Sequence, residues 1–169
     1  METKLECKFD VTITTDGSCK NNPGPGGWAA IVSYKDKKKE LSGYCPEATN
    51  NKMELRAVIE GIKALKFPCN VTVRSDSTYV INTFQRLDTI KGNNWKLKTG
   101  KAISNKELWE ELDSLRPYHN FQLVKVKGHS DDAANNRCDA LARQAIADHE
   151  KELQTVIGSL QKYLEGVNL

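Results

Sequence analysis

Four carboxylates stand where this chain changes course. Asp16 closes an apolar run within Thr15-Asp16-Gly17-Ser18-Cys19, and Asp76 closes another within Ser75-Asp76-Ser77. Glu54 lies one turn into a helical pattern and Asp139 lies early in a second. Taken singly, each has a plain structural explanation: a turn or helix-capping aspartate, or an acid placed to favour a helix dipole. Together they ask for more. Carboxylates roughly 4 Å apart repel by about 4 kcal/mol per pair at an effective dielectric near 20, so a cluster persists only with a cation or with retained protons. Oxygen ligands without His or Cys suit Mg²⁺, which keeps several waters and shares phosphate oxygens with its ligand. Two such ions, about 3.5–4 Å apart, can activate water and stabilise the leaving oxygen of an in-line phosphoryl displacement.

The elements that must position these acids follow from periodicity. Phe9, Val11 and Ile13 alternate with polar residues as a strand ending at Asp16-Gly17. Asn21 to Gly27 is rich in Gly and Pro and reads as loop. Trp28–Tyr34 and Glu40–Cys45 then form a hairpin. Leu55, Val58, Ile59, Ile62 and Leu65 recur at helical spacing up to Pro68. Val71-Thr72-Val73 leads as a strand into Asp76, and a helix runs from Ser77 to about Leu87. Ser104 or Asn105 caps a helix through Trp109 and Leu115, Phe121–Val126 alternates as a last strand, and an alanine-rich helix runs from Asn136 to about His149. This order gives an α/β fold with a mixed sheet. Parallel crossovers set the ends of the first and fourth strands side by side, which puts Asp16 near Asp76.

Composition narrows the class. With 169 residues, 38% hydrophobic and 28% charged, the chain is read as one globular domain rather than a disordered segment. Five cysteines at irregular spacing, without Cys-x-x-Cys, fit neither a disulfide framework nor a zinc site, and free thiols suit a reducing compartment. No signal-peptide pattern and no membrane-spanning apolar run occur, so a cytoplasmic location is expected. The formal charge of +3 permits a polyanionic partner without arguing for one. Its distribution says more: residues 91–106 hold five lysines, Trp95 and no acid.

Five stretches in register carry a resemblance. Thr15–Cys19 with Asn22–Trp28, Asn50-Asn51-Lys52-Met53-Glu54-Leu55-Arg56-Ala57, Ser75-Asp76-Ser77, Val126-Lys127-Gly128-His129, and Asn135 with Cys138-Asp139-x-Leu141-Ala142 resemble ribonuclease HI over roughly residues 7–148. The resemblance implies a ribonuclease H-like fold, a five-stranded mixed sheet with three antiparallel and two parallel strands flanked by helices. It implies hydrolysis of the RNA strand of an RNA–DNA hybrid, leaving 3′-hydroxyl and 5′-phosphate ends. Asp16, Glu54, Asp76 and Asp139 match the family's metal-binding catalytic acids, serving two Mg²⁺ ions with Mn²⁺ as an alternative. His129 matches a loop histidine associated with proton movement or product departure, a task suited to an imidazole.

The same resemblance assigns substrate contacts. Cys19, Asn22, Asn50, Asn51 and Asn135 match positions lining the minor groove or placing the scissile strand, where an enzyme specific for hybrids must sense 2′-hydroxyls. Lys91, Lys96, Lys98 and Lys101, with Trp95, match a basic protrusion lying against the DNA strand. Asn105 is either a phosphate contact or a helix cap. Two departures stand out: Thr78 replaces a frequent Gln, and no aromatic lies near Arg86-Leu87. Residues 1–149 are expected to form the catalytic domain. Residues 150–169 are expected to form a helical extension whose stripe of Leu153, Val156, Ile157, Leu160 and Leu164 packs back on it, in a monomer, with a docking or dimer helix as the alternative. The competing reading, a hybrid-binding module without activity, is disfavoured by the intact acids and His129.

Overall fold

The computed structural model describes residues 6–128 and 131–167. Three antiparallel strands come first: β1 (Phe9–Cys19), β2 (Gly24–Tyr34) and β3 (Lys37–Ala48). After α1 (Asn50–Lys63) come β4 (Cys69–Ser75), α2 (Thr78–Gln85), α3 (Leu87–Gly92) and α4 (Lys106–Leu115). A short 3₁₀ turn (Arg116–Tyr118), β5 (Asn120–Lys125) and α5 (Ala133–Gly166) complete the chain. The sheet order is β3-β2-β1-β4-β5, with β1 parallel to β4 and β4 parallel to β5. The expected five-stranded mixed sheet is therefore the one found.

Alternation in β1 serves two layers, because helices cover both faces of the sheet. Ile13, Val71 and Val73 pack with Leu55, Val58, Ile59 and Ile62 of α1 and with Trp109 and Leu112 of α4 in one core. On the other face, Ala29 and Ile31 of β2 meet Cys138 and Ala142 of α5 in a smaller one. These small residues let α5 lie close to the sheet. Cys138 Sγ reaches the Thr14 carbonyl at 3.1 Å, and burial pushes its thiol up to about 12.

The structure departs from the sequence reading in four places. β2 begins at Gly24, inside the stretch read as loop, and Gly26 and Gly27 pair with Cys19 and Ser18. The glycines there admit neighbours rather than ending the strand: a Cβ on Gly27 would strike the Ala142 carbonyl, and one on Gly26 would lie 2.6 Å from the Ala48 Cβ. The helix expected from Ser77 breaks at Arg86 into α2 and α3. α5 starts at Ala133, capped by Asp132, whose carboxylate accepts from the Ala134 and Asn135 amides. The fourth departure is the tail.

Rather than folding back, residues 150–166 continue α5 without interruption. The helix crosses β1, β2 and β3 and meets its last anchors at the edge strand β3 and at the β1–β2 turn. His149 stacks on Tyr44 with centroids 3.7 Å apart, and the Lys20 ammonium lies 2.8 Å from both Glu150 oxygens. The sheet ends there, so nothing remains for the stripe to pack on. From Lys151 to Val167 every residue but Gly158 is exposed. Leu153, Val156, Ile157, Leu160, Tyr163 and Leu164 are between 40% and 68% exposed. Among the described residues, no helix is long and apolar enough to cross a membrane.

Candidate active site

Three of the four acids meet. Asp16 comes from β1, Glu54 from the second turn of α1, and Asp76 from the residue following β4. Each offers a carboxylate oxygen, and these oxygens lie within 4.8 Å of one another. Local chemistry frees each side chain from the plain structural role considered for it. Ser77, not Asp76, caps α2, its hydroxyl accepting from the Val80 amide at 3.2 Å. Thr49, not an acid, caps α1 by accepting from Lys52. Asp16 accepts the amide of its neighbour Gly17 at 2.9 Å and shares a side-chain hydrogen bond with Glu54, contacts inside the cluster rather than a helix cap.

Close backbone approach makes the meeting geometrically feasible. A Cβ on Gly17 would run into the Glu54 amide nitrogen, so the start of α1 lies directly over the end of β1. A Cβ on Gly128 would sit 2.7 Å from Asp76 Oδ2, so the loop after β5 closes against that carboxylate.

The electrostatics of the cluster are unfavourable without a counter-charge. Burial, and next the negative Asp76, raise Asp16 to about 6. Burial, then Asp16 and Asp76, push Glu54 well above the ordinary carboxylate range. Buried Glu54 Oε2 and Asn135 Oδ1 have no hydrogen-bond partner among the described residues. Such orphaned oxygens cost free energy unless a ligand or ion satisfies them. A hard divalent cation fits this donor set, all oxygen and concave.

Asp139 stands apart from the other three. It lines the same cleft, of about 350 Å³, but Arg143 holds both its oxygens at 3.1 Å. Arg143 and Ser18 also line this cleft and were not singled out from sequence. For Arg143 the signal was present, since it follows Asp139 at the i,i+4 spacing of a helical ion pair. Lys125, which no sequence motif marks, also reaches the site: its ammonium donates to the Asp76 carbonyl and, at 2.7 Å, to Thr78 Oγ1.

The remaining site candidates divide. Asn50 and Asn135 line the cleft. Asn22 Oδ1 accepts from the Asn50 amide at 2.9 Å, tying the β1–β2 loop to the start of α1. Asn51 is exposed on the first turn of α1. The Cys19 thiol points to the Ala48 carbonyl, 3.1 Å away, and burial raises its pKa, so it sits as a neutral thiol. Asn105 does start α4, but in a left-handed conformation without a side-chain cap bond; its amide instead donates to Tyr79 Oη at 3.1 Å. Trp95 packs half-buried against the main core. Lys91 is paired with Asp113 at 2.6 Å, whereas Lys96, Lys98 and Lys101 are exposed and form no ion pair among the described residues. His129 lies outside the described residues.

Comparison with known proteins agrees with this fold. The ribonuclease H family model matches residues 8–147. A protein of Chlorobium luteolum named Ribonuclease H is 53% identical over 138 residues, covering 80% of this chain and 94% of that protein. Among solved structures, a type 1 ribonuclease H with the type 2 active-site motif superposes with a TM-score of 0.76 at 28% identity, covering 86% of this chain and 75% of that one. A further ribonuclease H1, solved in complex with RNA/DNA hybrid, matches in fold with a TM-score of 0.63 at 24% identity, covering 83% and 99%.

Proposed function

Since the chain belongs to the ribonuclease H family, we propose that it is a cytoplasmic, metal-dependent endonuclease that hydrolyses the RNA strand of RNA–DNA hybrids to 3′-hydroxyl and 5′-phosphate ends. The observation that carries this reading is the approach of Asp16, Glu54 and Asp76 to within 4.8 Å in an open cleft. Three acids held so closely are suited to binding cations and phosphate together. When bound there, two Mg²⁺ ions, or Mn²⁺ in their place, supply Lewis acidity and an activated water.

This chain's own residues do the rest. Asp16, Glu54 and Asp76 would hold the ions, and Asp139 would complete the set on leaving Arg143. His129 moves the proton to or from the scissile position. Asn135, Asn50, Asn51, Asn22 and Cys19 place the RNA strand and read its 2′-hydroxyls. Lys96, Lys98 and Lys101 bear on the DNA phosphates, with Trp95 as a packed base for their loop; Lys91 and Asn105 have weaker claims because both are already bonded within the protein.

Hybrid cleavage by wild type and Asp16→Asn tests the reading. The variant should lose cleavage while still binding hybrid, and wild type should leave duplex DNA and single-stranded RNA largely uncut. Equal cleavage by the variant would sink the mechanism.

A further inference from the structure

The family match ends at residue 147, and the feature it leaves unexplained is the free end of α5. Residues 150–166 extend about 25 Å at the rise of an α-helix, beyond the last anchors at His149 and Glu150. Along that length Leu153, Val156, Ile157, Leu160, Tyr163 and Leu164 form one stripe, each at least 40% exposed. They continue the helix side that buries Cys138, Ala142 and Ile146 on the sheet. With positions counted in heptads, Leu153 and Leu160 stand at a, Val156 and Tyr163 at d, Ile157 and Leu164 at e. This is the wide apolar seam of a helix packed against another. A 17-residue helix with an interior glycine, Gly158, is marginal alone in water.

We propose that this stripe is a dimer interface, covered by the same stripe of a second copy running antiparallel. The polar side argues against a lipid surface or a nucleic acid: beyond Glu150, which is paired with Lys20, it carries Lys151, Glu152, Lys162 and Glu165, a balanced set of charges rather than the basic face either partner would select. Self-association fits the stripe in detail. With the two helices crossing at the level of Gly158, which itself faces away from the seam, Leu153 lies opposite Tyr163 and Val156 opposite Leu160, so apolar meets apolar along the seam. Glu150 and Glu152 fall opposite Gly166 and Leu164, so no like charges meet. Antiparallel helices oppose their dipoles, and the two globular bodies, each attached at the start of its free helix, go to opposite ends of the pair.

Sedimentation equilibrium of the full chain tests the proposal, in reductant so that the free Cys7, Cys19 and Cys45 cannot link copies. Wild type is expected to rise from one chain mass to two between low micromolar and high micromolar concentration. Leu160→Glu and Ile157→Glu should each weaken association by more than about tenfold, while thermal unfolding of the domain and far-ultraviolet circular dichroism stay close to wild type. Thr155→Glu, on the opposite side of the helix, should associate like wild type. Single-chain mass for wild type at every concentration overturns the proposal. So does undiminished association of Leu160→Glu, or loss of association in Thr155→Glu equal to that in the stripe variants.

Discussion

At Asp16, burial and the neighbouring acids work against ionisation. Its pKa of about 6, against an ordinary value of 3.8, means that the folded protein binds the proton more tightly than the unfolded chain does. In the metal-free protein the Asp16 contribution is therefore favourable below about pH 4 and is lost as pH rises through about 6. Asp16→Asn removes that penalty. In chelator, the variant should match wild type near pH 4 and become more stable by on the order of 2 kcal/mol near pH 7. Urea unfolding at both pH values checks this, and a difference independent of pH would remove the cause. The identities of Asp16, Glu54 and Asp76 were legible in the sequence because each stood at an element boundary with the right flanks. Asp139 was legible as a candidate but not in its state, because the bond to Arg143 depends on rotamers that sequence order does not determine.

At the level of elements, glycine placement decides how near the helices come. Gly27→Ala sets a methyl against the Ala142 carbonyl and about 3.1 Å from Ile146 Cγ1, so α5 must shift as a body. A loss of about 1–3 kcal/mol is expected, read as a lower urea midpoint; an unchanged midpoint would show that α5 tolerates displacement. Asn21–Gly27 reads as loop because Gly and Pro are turn formers, and nothing local reveals that α1 and α5 press on those same residues. The basic loop between α3 and α4 was better marked, since Lys96, Lys98 and Lys101 stood out by charge alone. Lys98→Ala with Lys101→Ala should flatten the logarithmic dependence of hybrid affinity on salt by about 1–2. A slope equal to wild type would place the loop away from the bound duplex.

Across the whole molecule, the sheet order unites residues far apart in the chain. Glu54 follows Asp16 by 38 positions and Asp76 follows it by 60, and the intervening hairpin, α1 and β4 must all be in place before the three carboxylates can converge. The helical stripe of the tail was equally plain in the sequence; what could not be read was that the sheet stops at β3, leaving the stripe without a surface beneath it. The convergence has a thermodynamic corollary. An unfolded chain scatters these acids and offers a divalent ion no comparable site, so any cation the cluster takes up acts by mass action as a ligand of the native state alone. Unfolding temperature should then climb with the logarithm of Mg²⁺ concentration, by the equivalent of about 2.7 kcal/mol at a hundred times the dissociation constant, and should lose most of that climb in Asp16→Asn. Scanning calorimetry across a Mg²⁺ series would show it, and a flat series for wild type would refute it. The repulsion that weakens the metal-free fold thus makes the ion a partner in folding as well as in chemistry.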